Sequence, residues 1–88
     1  MKVRFSKKFD KSIDTLKNEK LKGEISTAVR SVINAKSVHD IPNLKKLKGH
    51  KTAYRIRTGS YRIGVYIEND TVEFAAFAHR KDIYNLFP

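Results

Sequence analysis

Toward the end of this 88-residue chain, His79, Arg80 and Tyr84 fall within six residues, with Lys81 and Asp82 between them. Imidazole and phenol groups move protons, and guanidinium groups fork onto phosphate. Arg55, Arg57 and Arg62 stand upstream. Together these residue types suit RNA cleavage without a metal. The 2′-oxygen attacks its own 3′-phosphate and the 5′-oxygen leaves, which requires a proton acceptor, a proton donor and cations against the phosphorane charge. A metal route lacks support, because the chain has no obvious carboxylate pair and no HxxxH or DxD spacing. The absence of cysteine excludes a thiol nucleophile, cysteine-ligated zinc, iron–sulfur clusters and disulfides, and suits a reducing cytoplasm. No metal and no cofactor are expected.

The charge balance agrees with a polyanionic partner. Nineteen Lys and Arg against nine Asp and Glu leave a net charge of +10, a field that attracts phosphate polymers or acidic proteins. The net charge is +6 over residues 1–36, +3 over 37–52 and only +1 over 53–88. The basic residues of the last third are mostly arginine, whereas the earlier ones are mostly lysine. Lysine acts as a solvated point charge and arginine as a planar phosphate ligand, so the specific contacts are expected late in the chain. The longest apolar run, Phe74 to Ala78, is too short for a membrane span or a signal peptide.

The elements that must position these groups follow from periodicity. Lys2–Phe5 alternates and reads as a short strand. Ser6 is a helix cap before Phe9, Ile13 and Leu16 at helical spacing, and a second helical period runs through Leu21, Ile25, Val29 and Ile33. Ser37–Asn43, with Pro42, is a connector, and Leu44–Lys51 a basic loop or single turn. From Ala53 the period becomes two, giving strands at Ala53–Arg57, Tyr61–Glu68 and Thr71–Ala78, with turns at Thr58-Gly59 and Asn69-Asp70. Asp82–Phe87 is a final helical turn. The expectation is one α+β domain over residues 1–88, in the order β-α-α-β-β-β. Its antiparallel sheet carries two N-terminal helices on one face and ends in a short C-terminal helical turn.

A two-residue Asn69-Asp70 loop sets Ile67 against Val72, Val65 against Phe74 and Ile63 against Ala76, an apolar face for the helices. A Thr58-Gly59 turn sets Ile56 against Tyr61, and so Arg55 against Arg62. By parity the opposite, bare face carries Arg55, Arg62, Gly64, Tyr66, Glu73, Ala75 and Phe77, with His79 at its mouth. Like charges opposed on a sheet repel, so an arginine pair beside an exposed Phe77 ring reads as a cradle for phosphate and base. The competing reading is a solvated sheet face with an Arg62–Phe77 cation–π pair. Tyr84 is either a second proton-transfer group at this mouth or a packing residue. Lys51 shares the parity of Arg55, and Lys48 lies in the same basic loop. The lysines of the helices read as a solvated face adding salt-sensitive attraction to RNA.

Leu44-Lys45-Lys46-Leu47-Lys48-Gly49, Tyr54-Arg55-Ile56-Arg57, Tyr61-Arg62-Ile63 and His79-Arg80-Lys81-Asp82-Ile83-Tyr84, with the element order, resemble the RelE/ParE toxin superfamily of toxin–antitoxin modules. The resemblance covers nearly the whole chain. Its RelE branch implies an endoribonuclease cutting messenger RNA in the ribosomal A site, neutralised by a cognate antitoxin that wraps the toxin. It implies that Arg62 holds the scissile phosphate, that Arg80 and Tyr84 complete the catalytic set with Tyr84 as general base in some members, and that His79 stands where others place a histidine. Lys48 and Lys51 match the basic segment; Arg55, Arg57, Phe77 and Lys81 are the further RNA-contact candidates. The chain departs from relatives that carry a glutamate before Tyr54. The ParE branch shares the fold but implies gyrase poisoning, and typically lacks the C-terminal set that favours RNA cleavage here. A noncatalytic RNA-binding module is the third reading.

Overall fold

The computed structural model describes all residues from Met1 to Pro88. Strand β1 (Lys2–Phe5) leads into helices α1 (Lys7–Asp14) and α2 (Glu19–Asn34), and a short 3-10 turn at Val38–Asp40 follows. Then come β2 (Leu44–Lys46), β3 (Ala53–Thr58), β4 (Tyr61–Glu68), β5 (Thr71–His79) and a single helical turn, α3 (Ile83–Leu86). No helix is long and apolar enough to cross a membrane.

Both long helices start where their caps stand. The Ser6 hydroxyl accepts the Phe9 N–H at 3.0 Å, and the Asn18 side chain accepts the Leu21 N–H at 3.0 Å. The polar stretch at Asn18 therefore separates two helices and does not kink one. Their apolar stripes, with Phe9, Leu21, Ile25 and Val32 buried, meet Ile56, Ile63, Val65, Val72 and Phe74 from the sheet. Phe74 is stacked by Phe5 at 5.3 Å and met by Phe9 at 5.5 Å, which fastens β1 and α1 to β5.

The strand order is β1-β5-β4-β3-β2. Three features correct the expected sheet. First, it is mixed, not antiparallel throughout: β1 runs parallel to β5, with Val3 beside Val72 and Phe5 beside Phe74. The alternation of β1 specifies which face is buried and leaves strand direction open. Second, Leu44–Lys46 is no loop but a third β-partner on the far edge, antiparallel to β3. Third, the β3–β4 turn is Gly59-Ser60, one residue later than expected, with Gly59 at φ +60°, a conformation glycine adopts without strain. Arg62 consequently faces Arg57, while Arg55 faces Gly64.

Between β4 and β5 the register shifts at Gly64/Val65. Val65 pairs with Phe74 and Gly64 with Ala76, so Ala75 is an extra, unpaired residue: a β-bulge. The bulge is held by Ser6, whose hydroxyl donates to the Ala75 carbonyl at 3.1 Å while its N–H donates to Phe74 O at 3.0 Å. Beyond it every residue of β5 changes sides relative to the expected register. Ile63 faces Phe77, not Ala76, and Tyr61 faces His79, not Ala78.

The second face is not bare either. Ala53, Ala76, Ile83 and Phe87 form a smaller buried cluster, joined by Leu47, Tyr66, Ala75 and Ala78. Ile83 and Phe87, one helical turn apart, tie the C-terminal turn to the sheet, each burial contributing about 1.5–3 kcal/mol as an upper estimate.

Ser6 joins the start of α1 to the bulge, so Ser6→Ala removes a cap and strands a carbonyl together. The expected loss is about 1–2 kcal/mol in urea denaturation, with Ser12→Ala, on the exposed side of α1, as the near-neutral comparison.

Candidate functional site

Residues of one parity share a sheet face. On the face away from α1 and α2 stand Arg55 and Arg57 from β3 and Arg62 from β4, with Lys45 opposite Arg55. The Arg62 guanidinium folds back on its own turn, where one nitrogen, Nη1, donates to the Gly59 and Tyr61 carbonyls, each at 2.9 Å. The Gly59 contact depends on the conformation of the turn, so the turn aims the side chain. Arg80 is brought alongside by a backbone tie: its N–H donates to Ser60 O at 2.9 Å across that turn.

The grouping shows in the electrostatics. Partial burial, then Arg55 and Arg57, and more weakly Arg80, hold the Arg62 guanidinium below its ordinary value. The Tyr84 phenol acts on it in the opposite sense. Arg62 stays cationic at neutral pH, because a guanidinium holds its proton far above neutrality, but it is a cation among cations. Arg55, Arg57, Arg80 and Tyr84 thus form, with Arg62, one set of groups within electrostatic reach of it. Tyr84 is 60% exposed on the outer side of α3.

Two of the expected residues lie elsewhere. The Phe77 ring stacks on Tyr61 at 5.1 Å and 9°, against the main core. His79 stands edge-on to the same Tyr61 at 5.3 Å, and its Nδ1 accepts the Lys81 N–H at 3.2 Å. Both are therefore on the helix side, because the Ala75 bulge turned them there. Phe77 offers no exposed ring beside Arg62, and His79 does not face the arginine set. Lys81 is exposed in the following turn. Lys48 and Lys51 are exposed on the β2–β3 connection, at the opposite end of β3 from Arg57, roughly 13 Å along the strand.

The sequence reading missed the turn carbonyls that hold Arg62 and the docking of Phe87 on the second face. Gly64 was the available signal for the latter, since glycine inside a strand marks a bulge or a close approach. Both occur here. No three His, Cys, Asp or Glu side chains gather in the fold. The arginine set is also not enclosed. The hollow between α2 and the end of β3, about 300 Å³, is lined by Arg57 but by neither Arg62, Arg80 nor Tyr84, and the groove between α1 and α2 by none of the set.

Comparison with known proteins bears on this geometry. The family described as the ParE toxin of the type II toxin–antitoxin system parDE matches residues 3–84. The chain belongs to the RelE/ParE superfamily of toxins. It is 38% identical over 89 residues to Toxin RelE3 of Methanocaldococcus jannaschii, covering all of both chains. Among solved structures, the RelB–RelE antitoxin–toxin complex from Methanococcus jannaschii contains a chain 35% identical, with TM-score 0.78, covering 97% of this chain and 99% of that one. The intact E. coli RelBE complex contains one at 17% identity and TM-score 0.69, covering 89% of this chain and 94% of that one, a likeness of fold alone. The superfamily's α+β fold is the one described above, with N-terminal helices, a five-stranded sheet and a short C-terminal helix.

Because Arg57 opposes Arg62 directly, the pair costs stability while no anion is bound. Arg57→Gln is expected to raise unfolding free energy at low salt by less than about 1 kcal/mol. The gain should shrink in 1 M NaCl, where the screening length is about 3 Å. Urea titrations at the two salt concentrations measure both.

Proposed function

We propose that this toxin-family chain is a metal-independent endoribonuclease that cuts messenger RNA, in the A site of the ribosome. The observation that carries this reading is the gathering of Arg55, Arg57 and Arg62 on one sheet face, with Arg80 tied across the β3–β4 turn and Tyr84 within electrostatic reach of Arg62. Natural sheets avoid opposed like charges unless an anion repays them, and a phosphodiester is a fitting anion.

In the proposed reaction Arg62 forks onto the non-bridging oxygens of the scissile phosphate. Tyr84, reacting as the phenolate, takes the proton of the 2′-hydroxyl and afterwards returns it to solvent. The 2′-oxygen–phosphorus bond forms, the bond to the 5′-oxygen breaks, and the products are a 2′,3′-cyclic phosphate and a 5′-hydroxyl, whose proton comes from water. Arg80, with Arg55 and Arg57, lowers the energy of the phosphorane. His79 is not retained as a proton carrier, since it lies across the sheet. Lys48, Lys51 and Lys81 hold RNA backbone on either side.

The open placement of the set supports a ribosome-bound substrate. A surface without walls cannot by itself fix the in-line geometry that such a reaction needs, and a ribosome would supply it. The proposed site of action is accordingly the cytoplasm. Since solved relatives are antitoxin–toxin complexes, a cognate antitoxin is the proposed protein partner. The family description names ParE, and resemblance to that branch implies a second reading, gyrase poisoning, in which the same arginines contact protein or DNA and no RNA is cut.

Primer extension on translated messenger RNA distinguishes the two. New 5′ ends are expected with the wild type, with a loss of about 10²–10³-fold for Arg62→Ala and about 10²–10⁴-fold for Tyr84→Phe. Wild-type cleavage by Arg62→Ala would overturn the assigned site. Trapped gyrase–DNA complexes without RNA ends would overturn the nuclease reading.

A further inference from the structure

The C-terminal turn presents its two sides very differently. Ile83 is fully buried and Phe87 is 3% exposed, whereas Tyr84 is 60% and Leu86 48% exposed. The buried pair rests on Ala53 and Ala76. Phe87 goes further: a Cβ added to Gly64 would lie 2.5 Å from the Phe87 Cγ and Cδ2. The ring occupies the space that any side chain at Gly64 would need, and the Tyr66 ring flanks it at 4.9 Å.

Little else attaches the turn. Its backbone bonds are local, Asn85 N–H to Asp82 O and Phe87 N–H to Ile83 O. From the rest of the protein only the exposed Lys8 Nζ reaches it, donating to Leu86 O at 3.3 Å. A single helical turn has no stability of its own, so its position is set by what it buries.

We infer that Phe87 is a positioning residue: its ring, seated on Gly64, fixes α3, and with it the Tyr84 side chain, relative to Arg62. The inference rests on the nuclease reading for its catalytic consequence, but the docking itself does not. Gly64 is two positions from Arg62 on the same strand and face, so the socket and the phosphate-binding arginine share one rigid element. The latch therefore sets the separation between the group that takes the proton and the group that holds the phosphate.

Gly64→Ala evicts the ring from the socket side, and Phe87→Ala removes it from the tail side without touching β4. In 15N relaxation of the full-length protein, the amides of residues 84–87 are expected to be as ordered as β4 in the wild type. They should become mobile in both variants while the sheet signals persist. Both variants should lose ribosome-dependent cleavage by about 10²-fold, as removal of a proton-transfer group does. Tyr84→Phe introduced into Phe87→Ala should then cost no more than about twofold, because independent effects would multiply and linked ones do not. Leu86→Ala, on the exposed side of the same turn, should leave both readouts as in the wild type. Ordered tail amides in both variants, or a Tyr84→Phe cost equal in the two backgrounds, would overturn the latch. A wild type that cuts no RNA would sink the nuclease reading alone, and the relaxation data would still decide whether Phe87 fixes the tail.

Discussion

The extra residue at Ala75 determines which side of the sheet receives each later side chain of β5. Without it, Phe77 would stand beside Arg62 and Ala76 would point into the helices. With it, Phe77 and His79 close over the main core with Tyr61, and Ala76 and Ala78 pass to the other face. That face becomes shallow at its centre, where Gly64 and Ala76 lie side by side, and shallow ground is what a docked tail needs. The bulge persists because its freed carbonyl has a partner. Ser6 supplies it with the same side chain that begins α1, so the helix layer and the strand irregularity are fixed by one hydroxyl.

The two faces follow opposite rules. The helix side is an ordinary core of branched and aromatic residues, where burial outweighs chain entropy. The other side combines a small apolar cluster with a concentration of guanidinium groups that repel one another. Such an arrangement lowers stability in the free protein, a cost that the proposed phosphate contact would offset. The carbonyls of Gly59 and Tyr61 make it tolerable by giving Arg62 acceptors in place of lost water.

Much of this was legible in the residues. Alternation in Tyr61–Glu68 gave the strand and its faces, the Asn69-Asp70 turn gave the first half of the β4–β5 register, and Arg55 and Arg62 were assigned to the face on which they stand. The second half of that register was not legible. A period of two carries no mark where one residue is skipped, and Ala75-Ala76 offers no contrast of polarity that would reveal it. For the same reason Thr58-Gly59 and Gly59-Ser60 looked equivalent as turns, although they differ in which arginine opposes Arg62. The partnership of Gly64 with Phe87 joins residues 23 positions apart in the chain, and no local pattern encodes it. The parallel edge strand was hidden likewise, because Lys2–Phe5 is too short to declare its direction.

That edge strand has a consequence for how the protein comes into being. β1 is the first strand to be made, and its only neighbour in the sheet is the last, β5. A nascent chain therefore holds Val3 and Phe5 without their partners until Thr71–Phe74 emerges, and joining ends so distant in sequence is slow for entropic reasons. The bulge, the tail socket and the arginine face all need β5 as well. A polypeptide still being synthesised therefore lacks both the arginine face and the socket that the finished one carries.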